Sequence, residues 1–126
     1  MNRKERLESE IAEYEACNNE HSRGNLSGYA NIAGMYATSA GAGVGAMGLS
    51  YALLGDSPLA LVANVIAGVA ATALTANHFR DEVQEEYGEI LHSKDSIAMH
   101  NSQIESRKTD LNLIGQEDLL EQLARE

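Results

Sequence analysis

The residues of this chain that could carry chemistry are a glycine-rich run, two histidines and a run of carboxylates. The run Gly41–Gly48 has the glycine content of a phosphate-binding loop, but no Lys-Ser or Lys-Thr pair follows it. No strand pattern precedes it either, and a phosphate loop needs both features to reach and orient its ligand. The sequence therefore predicts no nucleotide and no other cofactor.

The histidines and carboxylates do not form a ligand or catalytic pattern. His92 and His100 would lie two helical turns apart, whereas metal ligands on one helix are usually three or four residues apart. Cys17 is the only cysteine, which excludes a thiolate cluster. The acidic run Asp81–Glu89 is typical of a solvated helix face, and its functional alternative is a vestibule that attracts cations. We predict no metal site, no nucleophile motif and no enzymatic activity.

Composition narrows the fold and the partners. The chain has 126 residues and a net charge of -10, which argues against direct nucleic-acid binding because phosphate contacts need a basic surface. One Pro, no Trp and one Phe favour helix over an all-β fold. From Gly28 to Asn77 the only charged residue is Asp56. We therefore expect an all-α protein in which two polar arms flank an apolar central segment.

Three regions follow from this distribution. Residues 1–25 are expected to form an acidic arm, with an amphipathic helix on the stripe Leu7, Ile11 and Tyr14 and a hinge at Asn18–Asn25. Residues 26–78 are expected to form an antiparallel helical hairpin, with helices over 27–54 and 58–77 and a turn at 55–57. Residues 79–126 are expected to form a second acidic helical arm.

Local signals define the turn of the hairpin. Gly55 suits the left-handed position that ends a helix, and Asp56 or Ser57 can cap the next helix. Pro58 then fits the first helical turn. These residue types in this order predict a short helix–helix reversal.

Small side chains recur along both hairpin helices in steps of three and four, which places them on one face of each helix. Such a groove lets another helix backbone approach closely. The predicted packing groove comprises Ala30, Gly34, Ala37, Gly41, Gly45, Gly48, Ala52, Gly55, Ala60, Ala63, Ala67 and Ala70. A partial polar lining is predicted from Thr38, Ser39, Ser50, Asn64 and Thr72.

The C-terminal arm carries one narrow apolar stripe. Apolar residues recur every seventh position, at Val83, Ile90, Ile97, Ile104 and Leu111. The second core position of that heptad is assigned to Lys94, Asn101 and Lys108, which disfavours a stable dimeric coiled coil. Asn112 and Gly115 are expected to end this long helix, and Leu119, Leu120 and Leu123 to form a short tail helix.

The hairpin has the properties of a membrane segment. Residues 58–77 reach the hydropathy typical of a transmembrane helix, and both hairpin helices are long enough to cross about 30 Å of hydrocarbon. All nine Lys and Arg lie outside the hairpin, which under the positive-inside rule predicts that both termini are cytoplasmic. The alternative is a water-soluble helical bundle in which the hairpin is buried in a larger assembly.

The leading functional hypothesis is a small membrane protein that forms homo-oligomers through its Gly/Ala grooves, as a pore, a channel or an assembly platform. The alternative is a structural component of a virion or secretion assembly. In composition the hairpin resembles the internal ejection proteins of short-tailed phages, and that resemblance includes no diagnostic motif. A third hypothesis is a membrane-anchored adaptor whose C-terminal arm binds another protein.

Overall fold

The computed structural model describes residues 2–125, and the described chain is almost entirely helical. Three helices account for it: α1 (Arg3–Leu54), α2 (Pro58–His78) and α3 (Arg80–Ala124). Helix makes up 95% of the described residues, and no strand occurs among them. The predicted all-α class is confirmed.

Helix α1 runs without interruption through the segment in which we expected a hinge. The predicted break at Asn18–Asn25 is wrong, because this segment is held in helical form by contacts with α3. Asn18 donates a hydrogen bond from Nδ2 to Asn101 Oδ1 at 2.8 Å. Ser93 Oγ donates to the backbone carbonyl of His21 at 3.4 Å. Asparagine and glycine lower helix propensity by no more than about 1 kcal/mol each, so such contacts can override it.

The turn between α1 and α2 follows from its residue types. Gly55 lies in the left-handed region with φ of 77°. Ser57 caps α2, accepting a hydrogen bond at its hydroxyl oxygen from the backbone N–H of Ala60 at 3.3 Å, and Pro58 occupies the first helical position. The chain thus leaves α1 and enters α2 within three residues.

Helix α3 also continues where an end was expected. The predicted break at Asn112 and Gly115, and the separate tail helix after it, are wrong, since α3 extends to Ala124. One asparagine and one glycine together cost about 1.5 kcal/mol in helix propensity. If the helix ended there, the backbone hydrogen bonds of all later turns would be lost, and helix formation is cooperative.

The chain divides into two compact units. The terminal unit combines Met1–Asn25 with Ile90–Glu126, and the central unit is Leu26–Glu89. In the terminal unit the first part of α1 contacts α3, and in the central unit the rest of α1 contacts α2 and the start of α3.

Polar side chains alternate with apolar ones in the contact between α1 and α3 of the terminal unit. Ile90, Ile104 and Leu7 are its buried apolar side chains, with 1%, 6% and 6% of their surfaces exposed. The second heptad position on α3 is one residue earlier than expected: Ser93, His100 and Arg107 face inward, whereas Lys94, Asn101 and Lys108 are exposed. The assignment to the latter three was wrong because nothing in the sequence marks polar residues as inward-facing.

These inward polar residues form hydrogen bonds across the contact between α1 and α3, here called the polar seam. His100 Nδ1 lies 2.9 Å from Asn18 Oδ1. The guanidinium of Arg107 donates from Nε to Glu10 Oε2 at 2.6 Å and lies over the ring of Tyr14, 5.1 Å from its centroid. The hydrogen bond to Glu10 raises the pKa of Arg107 above its ordinary value. These bonds fix the register of the two helices, as polar core positions do in coiled coils.

Candidate functional site

Two helices of the central unit come into close contact at Gly43 of α1 and Gly68 of α2. A Cβ atom added to Gly43 would collide with Thr72 Oγ1 and lie 3.0 Å from the carbonyl oxygen of Gly68. A Cβ added to Gly68 would collide with Met47 Cγ and lie 3.1 Å from the carbonyl oxygen of Gly43. The two backbones therefore approach each other closely, and a side chain at either position would require Thr72 or Met47 to move.

The groove residues predicted on α1 lie away from this contact. All of them are exposed, and Gly34, Gly41, Gly45 and Gly48 have open space where a Cβ would stand. On α2, Ala60 is buried and Ala63 and Ala67 are half-buried, while Ala70 is exposed. The chain thus brings part of the predicted α2 face into its own helix contact and leaves the α1 groove uncovered.

Most of the predicted polar lining faces the interior of the central unit. Ser39 and Asn64 are buried, Ser50 and Thr72 are half-buried, and Thr38 is exposed. Ser39, Thr72 and Thr38 donate to carbonyl oxygens one turn earlier in their own helices, at Met35, Gly68 and Gly34 respectively. Such bonds satisfy hydroxyl groups without a partner helix.

Asn64 is the exception among these polar groups. Its side chain is 4% exposed, and its Nδ2 donates to the carbonyl of Gly55 over a long 3.4 Å. Its Oδ1 is buried and has no hydrogen-bond partner. An unsatisfied buried carbonyl costs about 1–3 kcal/mol, which makes Asn64 the weakest polar position in this unit.

The inward face of α1 could have been found from spacing that the sequence already shows. The stripe Leu7, Ile11 and Tyr14 continues in steps of three and four into Gly28, Ile32, Met35 and Ser39, all buried or half-buried. A further step of four leads to Gly43, and Gly68 lies midway between Asn64 and Thr72. The prediction missed both glycines because it followed small residues alone and did not extend the N-terminal stripe.

The outward surface of the central unit is strongly apolar. Large side chains on both helices are exposed, for example Leu53 at 83%, Leu59 at 83% and Leu74 at 73%. An open apolar groove of about 480 Å³ runs beside the Gly43–Gly68 contact, lined in part by Val44, Val69 and Ala73. Exposed apolar patches of this extent mark surfaces that meet a partner or a membrane.

By length and composition, one helix among the described residues qualifies as a membrane span. This is α2, whose most apolar 18-residue window has a mean hydropathy of 2.0. Within residues 2–125, no group of three or more His, Cys, Asp or Glu side chains is arranged to hold a metal ion.

Comparison of the chain with protein-family models, with curated proteins and with solved structures finds no match. Function is therefore inferred from the geometry and chemistry of the chain.

Proposed function

We propose that this chain is an integral membrane protein that forms homo-oligomers through the small-residue groove of α1. The observation that carries the proposal is the exposure of the central unit: only 17% of the apolar window of α2 is buried within the chain. The core helix of a water-soluble protein would be mostly buried. Lipid, or lipid together with further copies of the chain, would cover this surface.

The arrangement of polar groups supports membrane insertion. In hydrocarbon a polar group without an internal partner is costly, and the hydroxyls of Ser39, Thr72 and Thr75 each donate to a carbonyl of their own helix, whereas Asn64 Oδ1 has no such partner within the described chain. The close contact of Gly43 with Gly68 supports the predicted hairpin, because small residues let helices associate in lipid without a hydrophobic driving force. The basic residues outside the hairpin favour a topology with both termini in the cytoplasm.

The uncovered α1 groove supports self-association. Gly41, Gly45 and Gly48 have space for a neighbouring backbone, and a second copy could approach there as closely as Gly68 approaches Gly43. Four of the five predicted lining residues face inward, so we favour an assembly platform over a pore. Conductance across planar bilayers distinguishes these two forms of the proposal.

The test compares membrane retention and oligomer size. We expect the chain to stay in membranes washed with alkaline carbonate and to migrate as an oligomer in mild detergent. The double variant Gly41→Leu/Gly45→Leu should dissociate to monomers while remaining helical. Gly88→Leu is the matched control, because Gly88 is exposed on α3 with open space around it.

Two results contradict the proposal. An unchanged oligomer in Gly41→Leu/Gly45→Leu would exclude the α1 groove as the interface. Release by carbonate would exclude an integral membrane protein and would favour the alternative, a structural component of a virion or secretion assembly in which other subunits cover the apolar helices.

A further inference from the structure

A cavity of about 430 Å³ lies where α2 ends and α3 begins, and α1 forms part of its wall. Its floor is formed by the half-buried side chains of Met35, Ala76, Phe79 and Val83. The volume is within the range of small-molecule sites, about 300–1,000 Å³. The whole cavity belongs to the central unit.

The rim of this cavity has one charge. Arg80 is the single charged residue among the described residues that line it, alongside polar side chains such as Tyr36 and Asn77. No ion pair involves Arg80 within residues 2–125. An unpaired guanidinium beside an apolar floor suits a ligand with a phosphate attached to a hydrocarbon chain.

The neighbouring groove has the opposite charge. It shares Met35 with the cavity and is otherwise lined by Glu82, Glu85, Glu86 and Glu89. Asn31 donates to Glu86 Oε1 at 3.0 Å, and no basic residue lines this groove in the described chain. The cavity with its single arginine therefore adjoins, at Met35, a groove lined by carboxylates.

We propose that this cavity binds a zwitterionic phospholipid. The phosphate would contact Arg80, the ammonium group of the headgroup would face the carboxylates of the adjoining groove, and an acyl chain would cover Met35 and Phe79. A purely anionic headgroup is disfavoured because it would bring a net negative charge next to four glutamates.

The position of the cavity agrees with this occupant. It lies next to His78, the last residue of the helix that is long and apolar enough to span a membrane. In the membrane arrangement of the proposed function, on which this inference rests, the end of α2 reaches the boundary between hydrocarbon and headgroups. Lipid phosphates are concentrated at that depth, and arginine side chains meet them there.

Soluble short-chain lipids allow the site to be tested apart from membrane insertion. The full chain is titrated with dihexanoyl phosphatidylcholine below its micelle concentration, with dihexanoyl phosphatidylglycerol, and with inorganic phosphate. Binding is followed by the amide NMR signals of Phe79 and Arg80. We expect saturable shifts with phosphatidylcholine, at least several-fold weaker binding of phosphatidylglycerol, and no saturation with phosphate alone.

Two variants test the two halves of the site. Arg80→Gln should weaken phosphatidylcholine binding about tenfold, the effect expected for one charge-assisted hydrogen bond. Ala76→Leu should weaken it by filling the floor while leaving Arg80 in place. Arg23→Gln and Ala98→Leu make the same changes at exposed positions of the terminal unit and should leave binding unchanged.

The outcomes separate this inference from the proposed function. Equal binding by Arg80→Gln and the wild type, or no saturable binding of either lipid, would overturn the lipid site even if the chain resists carbonate extraction. If inorganic phosphate bound saturably and with the same affinity as phosphatidylcholine, the cavity would be an anion site and not a lipid site. Arg80-dependent lipid binding by a chain that carbonate releases would sustain the site and reject the integral membrane protein.

Discussion

The two units of this protein hold their helices together by different means. In the terminal unit α1 and α3 meet through side chains that hydrogen-bond across the seam, such as Glu10 with Arg107 and Asn18 with Asn101. In the central unit α1 and α2 meet through the backbone at Gly43 and Gly68, and the large apolar side chains point outward. One continuous helix, α1, uses both modes within its 52 residues.

Hydrogen-bonded side chains and close backbone contacts stabilise helix pairs in different surroundings. In water, burying apolar surface drives association, and polar side chains at the seam select a single register. In lipid the hydrophobic effect contributes nothing between helices, so close van der Waals contact between backbones has to replace it. A charged seam and a glycine seam on the same helix are therefore consistent with one part in water and the other in a membrane.

The largest loss of stability is expected from a side chain added at the contact between Gly43 and Gly68, the glycine seam. Gly68→Leu would push a side chain into Met47 and against the carbonyl of Gly43, so α2 must move away from α1. Overpacking of this kind costs about 3 kcal/mol, more than the about 0.8 kcal/mol that leucine gains in helix propensity. Hydrogen exchange should rise in α2 and stay unchanged in residues 93–107.

Gly88→Leu is the control for that experiment, because its added side chain meets open space. It should gain the helix propensity of leucine without loosening α2. Equal protection of α2 in Gly68→Leu and the wild type would mean that the glycine contact does not hold the central unit together. A loss of protection in both units would mean that the two seams are not independent.

A smaller effect is expected from the polar seam. Asn18→Ala removes the hydrogen bond to Asn101 and the contact with His100 Nδ1, and two such bonds contribute about 1–2 kcal/mol. Hydrogen exchange should rise in residues 93–107 and not in α2. Asn19→Ala is the matched control, since Asn19 is the neighbouring exposed asparagine. A similar effect of both substitutions would mean that the loss comes from helix propensity and not from the seam.

The parts of the fold that the sequence predicts are those that depend on local chemistry. The all-helical class follows from composition, and the turn follows from Gly55, Ser57 and Pro58, whose conformational preferences act within a few residues. The hinge at Asn18–Asn25 was mispredicted because the helix there depends on hydrogen bonds to α3, distant in the sequence. No local signal reveals that partner.

The candidate site was harder to predict for a different reason. Small residues occur on more than one face of α1, so spacing alone cannot decide which face meets α2. Gly41 and Gly43 lie on different faces of α1: Gly41 is exposed, whereas Gly43 is in contact with Gly68. The cavity beside Arg80 could not be predicted at all, because Met35 and Phe79 come together only through the packing of separate helices.

The smallest expected change in stability is at Asn64, where a substitution should stabilise the protein and not destabilise it. Asn64→Leu replaces a buried amide by an apolar side chain with the same branching and the same number of non-hydrogen atoms. The amide that it removes has no partner at Oδ1, and its remaining hydrogen bond is 3.4 Å long. Removing an unsatisfied polar group should outweigh the loss of one weak bond, which predicts a stabilisation of about 1 kcal/mol. The measurement is the midpoint of thermal unfolding in detergent micelles, followed by the helical circular dichroism signal. Asn77→Leu, an exposed position on the same helix, should leave that midpoint nearly unchanged. Destabilisation by Asn64→Leu would show that Oδ1 acquires a partner in the assembled protein, and a second copy of the chain would then be the first candidate to supply it.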